Sequence, residues 1–574
     1  MNRHARSLIA ALLAAVLAHL PARLLAAETP DDDPVLSAMR KELERSFSAL
    51  QNAEKTPLYF LGYQIRDTRS YHLDALLGAI RSENDRRHRF LDVDVRVGSR
   101  KLDNTHQIKG AGSWLERSGE RHTEVTVDDD GDALRADIWR RTDKAFKEAF
   151  RRYTKVVTNK AVTAEEEDKS WDFSEEKPAR FYEKIPHPEV DKNAWRERLR
   201  RISATFKKYP FIIDTGVSLS VDTLHRYMVN SEGAEIVTGD RYIRLSYRIS
   251  ARTDDGMDLD RFRSYDADRL EDLPGEAAII ADMERSAAEL QALHKAPLVE
   301  PFNGPAIFRN RATGVYFHEI LGHRLEGHRQ KLEEEGQTFT KKLDKLITAP
   351  FITVYDDPKL DRFRGQFLRG AYRYDDEGVA SRRVDLILRG KLKAFLMSRS
   401  PIERFGNSNG HGRRSAGHEV VARMGNLIVK SRQRVSSQRL REMLIEEIRK
   451  QGKPYGLIFE DIAGGFTSTS RHGTQSFKVI PKLVYRVYPD GRPDEAVRGV
   501  DIVGTPLTAF TKIIGAGDDP GVFNGTCGAE SGWVPVSAVA PSILVSEIEV
   551  EKKFKSSDKP PVLSPPHHEK EDRP

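Results

Sequence analysis

The stretch GVYFHEILGHRLEGH, residues 314–328, places Glu319 directly after His318 and a second imidazole, His323, five residues after the first. Imidazole nitrogens ligate metals, and a carboxylate beside them can accept the proton of a water. In the familiar H-E-x-x-H pattern the two histidines lie one turn apart, about 40° around a helix. A spacing of five sets them about 140° apart, so a regular helix cannot bring both to one ion. The helix must either absorb a residue in a π-type bulge or end between them. Gly322, just before His323, is where the backbone deforms most readily.

A hydrolytic zinc site uses three protein ligands and keeps one position open. The chain's single thiol is Cys527, in GAGDDPGVFNGTCGAESGWVPVS. With no second cysteine it is buried, free and reactive, or a metal ligand. Its segment reads as a Gly-rich loop without an apolar face, which argues against a simple core residue. One cysteine also excludes a disulfide framework, a Cys-rich zinc module and an iron–sulfur cluster held by this chain alone.

The elements that must position these residues come from 574 residues, enough for two to four domains. With 39% hydrophobic and 31% charged residues, a large core is available and wholesale disorder is excluded. The net charge is +6, or +3 once Arg3, Arg6 and Arg23 of the opening segment are set aside. No basic stripe with interleaved aromatics points to nucleic acid.

Residues 1–27 have a basic start, an apolar run from Leu8 to Leu20, and Ala26 and Ala27 after it. This is the layout of a signal peptide, too short to span a bilayer. The expectation is an exported, periplasmic or extracellular protein. Residues 28–296 are expected to form an N-terminal α/β domain. It opens with a helix after Asp31–Asp33 and Pro34, continues through short alternating strands from Leu58 to about Gln107, and has an acidic, Pro-punctuated connector near 162–190. The acids of Asp128–Asp132 suggest a calcium loop, but Ala133 stands where that loop needs glycine, and a helix N-cap is the better reading. Helices are expected near 191–206 and 275–296, with Ser231-Glu232-Gly233 as a hairpin turn. Residues 297–552 form a β-rich C-terminal domain with helices near 311–330 and 436–451, and 553–574 a disordered tail. The fold class is α+β, with the metal-binding helix near the junction.

At these residues the chain resembles the TldD/PmbA family of metalloproteases. His318-Glu319-x-x-x-His323 with Leu325-Glu326-Gly327 looks like that family's metal helix. The segments 374–396 (YDDEGVASRRVDLILRGKLKAFL), 408–415 with 423–429, 456–470 and 518–528 are similar to its later blocks, in the same order. The resemblance covers roughly 300–550. It implies that His318, His323 and Cys527 bind zinc and that Glu319 is the general base. It also implies peptide cleavage by dimers, either of one chain or with a paralogue lacking the ligands. His328 departs from the pattern, standing where family members carry an acidic residue. The signal peptide departs too, since familiar members are cytosolic.

The reading is a zinc peptidase acting on unfolded peptides, which edge pairing along 384–396 or 476–488 would accept as an added strand. Three other chemistries use the same residues. Cys527 could be a nucleophile with His318 or His323 as its base. The site could be structural, in a non-catalytic zinc- or peptide-binding subunit. It could also hydrolyse another amide with metal assistance.

Overall fold

The computed structural model describes residues 30–109, 123–163, 167–332, 335–469, 477–504, 510–553, 559–563 and 565–566. The opening segment 1–27 and most of the tail lie outside the described residues. Among the described residues no helix is long and apolar enough to cross a membrane.

Asp33 accepts hydrogen bonds from the backbone N–H groups of Val35 and Leu36 and, with Pro34, starts helix α1, Pro34–Leu50. The alternating segments after it are longer than their sequence suggested. Strands β1 (Leu58–Leu76) and β2 (Ala79–Ser99) form one extended hairpin. Its turn is Leu77-Gly78, with φ of 48° and 84°, the left-handed pair that a two-residue connection requires. β1 pairs on its other side with β3 (Asp214–Asn230), which turns at Ser231-Glu232-Gly233 into β4 (Glu235–Arg252). β5 (Asp258–Ala267) and the short strand Arg180–Tyr182 line the far edge of β4. The sheet is antiparallel except at Arg180–Tyr182.

Helix α2 (Gly131–Val162) starts at Asp130, whose carboxylate accepts from Ala133 N–H, as the N-cap reading expected. Its Leu134, Ile138 and Phe146 pack with α1 on one end of the sheet. Helices α3 (Lys192–Ala204) and α4 (Glu276–Lys295) bury Leu199, Ile202, Met283 and Leu290 on the other.

The C-terminal domain is two strand layers with a helix between them. β6 (Phe302–Phe308) pairs with β10 (Gly456–Thr467) and β15 (Ile543–Lys552). β12 (Val500–Val503) joins β15 to β11 (Phe477–Val487), and β11 returns to β10. These pairings close a ring. The second layer runs β8 (Val384–Leu388), β7 (Ile352–Asp356), β9 (Asn426–Ser431), β14 (Gly532–Ala540) and β13 (Gly521–Ala529). Helix α5, Asn310–Ile320, is buried from Ala312 onward because both layers cover it. Gly314 lets it approach β14: a Cβ there would stand 3.3 Å from Ala538. Helix α6 (Ser437–Lys450) packs outside the ring.

The connector near 162–190 is docked on the C-terminal domain: Ser174 N–H donates to the Arg399 carbonyl (2.8 Å) and Ser408 N–H to Glu176 (2.8 Å). One expectation changes. Strands 384–388 and 477–487 have neighbours on both sides, so neither offers the open edge expected for a peptide.

The two domains are held by buried charge. Asp376 accepts from Arg66 (2.9 Å), Arg226 (2.8 Å) and Gln64 (3.1 Å) of β1 and β3, and from the Arg414 N–H. Arg414 reaches back to Asp94 on β2 at 2.8 Å. Burial would raise the Asp376 carboxyl, but Arg66, Arg226 and Arg414 hold it well below the usual carboxylate range. Asp376→Ala strands two buried guanidiniums, so it should cost about 3–5 kcal/mol, read as a lowered denaturant midpoint. A depressed carboxyl stabilises above the unfolded value of about 4, and that stability is lost as pH falls below it. Acid should therefore weaken the wild type more than Asp376→Asn over that window, and an equal pH dependence would refute the clamp.

Candidate metal centre

The five-residue spacing is resolved by ending the helix. α5 stops at Ile320, and Gly322–Leu325 form a 3₁₀ turn rather than a π bulge. Gly322 is required by space as well as by flexibility, since a Cβ there would lie 2.0 Å from Met424 Sδ. The helix expected over 311–330 is thus broken into α5, this turn, and one further turn at His328–Lys331. The carbonyls left open at the end of α5 are satisfied by Arg324, which donates to the carbonyls of Ile320 (3.1 Å) and Glu319 (3.3 Å). Its other bonds, to Thr467 Oγ1 and the Ser468 carbonyl, pin the helix end to β10.

After this turn the two imidazoles face one thiol. His318 Nε2 lies 3.1 Å from Cys527 Sγ, and His323 Nε2 lies 3.2 Å from it. The ring centroids are 5.1 Å apart at 81°, so the rings converge edge to face. Cys527 is not in a loop. It sits on β13, opposite Val534 of β14, with Val534 and Val536 against it. The hairpin turn after it keeps the thiol at the helix end.

The charges of this group are set by each other. Burial would push the Cys527 thiol up, but His323, His318 and Arg423 hold it well below the ordinary thiol range. Burial opposes charge on His323, yet Cys527 and Glu326 push it up to about 10. His318 is raised as well, by Cys527 against burial. Glu319 is buried, and burial pushes its carboxyl up while His318 and His323 pull it back. It accepts from the Gly465 N–H on β10, where a Cβ would come 2.5 Å from Glu319 Cγ.

The structure therefore brings His318, Glu319, His323 and Cys527 together, as the sequence reading expected. The frame around them was not assigned there. Glu326 is fully buried and contacts His323 Nδ1 at 3.1 Å, fixing the ring so that Nε2 points to the thiol. Arg329 and Arg423 hold Glu326 at 2.8 and 3.3 Å, and Arg423 also donates to the Cys527 carbonyl at 2.9 Å. Glu530 bonds His328 Nε2 and Arg329. Their signal was present: Glu326 follows His323 by three residues, and Glu530 follows Cys527 by three.

The donor set fits zinc. One thiolate and two imidazoles match its preferences, and their ligand atoms lie within 4.8 Å of one another. A cavity of about 1160 Å³ adjoins the centre, lined by His328 and Gln330 but by none of the three donors. The donors, not the cavity, mark where the chemistry is.

Residues 302–552 match the PmbA/TldA metallopeptidase C-terminal domain. The chain is 29% identical over 240 residues to a metalloprotease of Methanothermobacter thermautotrophicus, covering 41% of this chain and 47% of that protein. It is 24% identical over 345 residues to the zinc metalloprotease TldD homologue of Saccharolobus solfataricus, covering 60% and 72%. The chain spans about half the length of the first curated relatives it matches. The crystal structure of TldE from Thermococcus kodakarensis has the same fold, with a TM-score of 0.58 at 15% identity, over 90% of this chain and all of that one. These likenesses correct one expectation. The relatives are metalloproteases and TldD homologues, and none of them supports the signal peptide expected over residues 1–27 or the periplasmic location.

The purified chain should bind about one transition-metal ion, zinc by its donor chemistry. His318→Ala, His323→Ala and Cys527→Ala should each deplete it in elemental analysis. Glu326→Gln should keep the site but weaken it by about 10–100-fold in a chelator competition. Binding needs neutral imidazoles, and both are raised, so protons compete and affinity should fall as pH is lowered. Full occupancy in Cys527→Ala would remove Cys527 from the ligand set.

Proposed function

We propose that this chain, whose residues 302–552 match the PmbA/TldA metallopeptidase C-terminal domain, is a zinc-dependent peptidase of the TldD/PmbA family acting on unfolded peptides. The observation that carries this reading is the complete donor set, His318, His323 and Cys527, with Glu319 held beside it against Gly465. A subunit kept only for assembly has no need of that set.

His318, His323 and Cys527 would hold zinc, which would supply Lewis acidity there. The chain's own residues do the rest. Glu319 accepts the proton of the attacking water and returns it to the leaving amine. The Gly465 N–H orients its carboxylate, and Glu326 keeps His323 turned toward the thiol. Burial of all four side chains excludes bulk water, which strengthens every charge interaction in the site. The same burial favours an extended, unfolded substrate, because a folded surface cannot reach the donors. β13, the outer strand of its sheet and the carrier of Cys527, offers the pairing edge that 384–396 and 476–488 do not.

A thiol hydrolase is the second reading, favoured by the short contacts of Cys527 Sγ to both imidazoles. Chelators separate the two, since phenanthroline should abolish a zinc peptidase and spare a thiol enzyme. Glu319→Gln should retain zinc and lower peptide hydrolysis about 10²–10⁴-fold. Near-normal cleavage by that variant would place the base elsewhere.

The assembly proposed is a dimer, a homodimer first because the ligands are complete, or a heterodimer with a ligand-less paralogue. Light scattering, with cleavage of one protein in native and denatured forms, tests both halves. A monomer that cuts both forms equally would refute them.

A further inference from the structure

We propose that Arg311 and Arg263 form a receptor for a substrate carboxylate, about three peptide residues from the metal centre. The proposal deepens the peptidase reading and rests on it for the fate of the bound chain.

The two arginines stand out by hydrogen bonding rather than by a sum of charge. Among the described residues neither guanidinium donates a hydrogen bond, and the Nε of each is buried without a partner. The Arg311 side chain meets the ring of Phe523, whose centroid is 5.9 Å from its Cζ. The nearby carboxylates are committed elsewhere. Asp266 accepts from Arg244 and Tyr242 (2.6 Å each), and Arg261 holds both Asp461 (2.9 Å) and Glu289 (2.6 Å). Burial holds the Arg311 guanidinium below its ordinary value. Asp461 and Asp266 oppose this without bonding it, while Arg263 and Arg261 add to it. Half-buried N–H donors left unmade cost free energy that a bound acceptor recovers.

Their place in the fold ties them to the chemistry. Arg311 precedes His318 by seven residues on α5, close to two full turns, so the two share a face about 10 Å apart. β13 runs beside them, with Arg311 over Phe523 and His318 against Cys527. An extended chain rises about 3.3 Å per residue and covers that distance in about three residues. Arg263 follows Arg261 by two residues, so both project from one face of β5. Arg261 reaches Asp461 on β10, which holds that face against the metal domain. Arg244 of β4 also touches β13 here, donating to the Asn524 carbonyl at 3.4 Å. The β13 edge proposed for the substrate thus leads from the metal donors toward two unbonded guanidiniums. Their planar forks match a carboxylate, supplied by the peptide's C-terminus or by an Asp or Glu side chain.

The test is fluorescence anisotropy on the full-length Glu319→Gln protein, expected to keep zinc and turn over slowly. Three N-terminally labelled peptides of about nine residues are compared. One has neutral side chains and an amidated C-terminus, one the same sequence with a free C-terminal carboxylate, and one is amidated with a single central Asp. At least one carboxylate peptide should bind about tenfold more tightly than the neutral amide, and which one does so identifies the source. The double variant Arg263→Gln, Arg311→Gln should bring the three affinities together while zinc content and thermal midpoint stay unchanged. Should that variant fail to fold, Arg311→Lys, which keeps the charge and loses the fork, should still lose most of the preference. Equal affinity for the three peptides would overturn the proposal, as would an undiminished preference in the folded variant. Hydrolysis by the wild type is read separately. Cleavage with no carboxylate preference would overturn the receptor and leave the peptidase reading standing, and preference without cleavage would do the reverse.

Discussion

A carboxylate with no access to water must be matched by fixed partners, and Glu326 is the one on which this site depends. It is fully buried, and His323, Arg329 and Arg423 share its oxygens. These residues push it down to about 2 against the opposing effect of burial. Through His323 it orients one imidazole. Through Arg423, which also donates to the Cys527 carbonyl and Ser531 Oγ, it fixes the strand that presents the thiol. A helix end and a hairpin from opposite ends of the domain sequence therefore meet at one buried charge. Removing it would leave two guanidiniums and an imidazole without their common counter-charge, a loss of order several kcal/mol.

The same logic joins the domains. The Asp-Asp-Glu-Gly turn puts three acids in a row, each with a separate task. Asp375 accepts from the N–H groups of Glu377, Val379 and Gly412 and so closes the turn. Asp376 takes the arginines of the N-terminal sheet. Glu377 accepts from the Arg399 N–H, and Arg399 in turn pairs with Glu232 in the β3–β4 turn. Packing these acids around buried arginines fixes how the N-terminal sheet faces the metal domain. That orientation forms the cavity wall against which α2 stands.

Much of this was legible in the chain. The four chemical residues were visible because His and Cys are scarce and their spacing is unusual for a helix. Apolar spacing marked α1, α2, α3, α4 and α6, and the caps of Asp33, Asp130, Asp191 and Ser436 set the starts of four of them by local hydrogen bonds. What escaped was set at long range. The strands of β1 and β2 appeared short because Arg and Asp interrupt their alternation, yet these charges are buried in ion pairs such as Arg66–Asp92 and Arg89–Asp67. Cys527 looked like a loop residue because glycines flank it, although β13 is paired through Gly525 and Gly528. Single-residue patterns carry no record of a partner one or two hundred positions away, so the bonds of Arg423 to the Cys527 carbonyl and of Glu530 to His328 went unassigned even though Glu530 stands three residues from Cys527.

Glu326, His328 and Glu530 themselves cluster closely enough to suggest a second metal site. Their electrostatics argue otherwise. Glu326 and Glu530 carry two negative charges, and Arg329 and Arg423 supply two positive ones beside them. Each of these carboxylates is already paired with a guanidinium, so an added dication would have to displace Arg329 or Arg423 from its partner. His328 takes one Glu530 oxygen and Arg329 the other, which leaves that carboxylate without a free face for a metal. The cluster is better understood as the scaffold of the first centre, a layer of paired charge that holds His323 and the Cys527 hairpin at fixed separation.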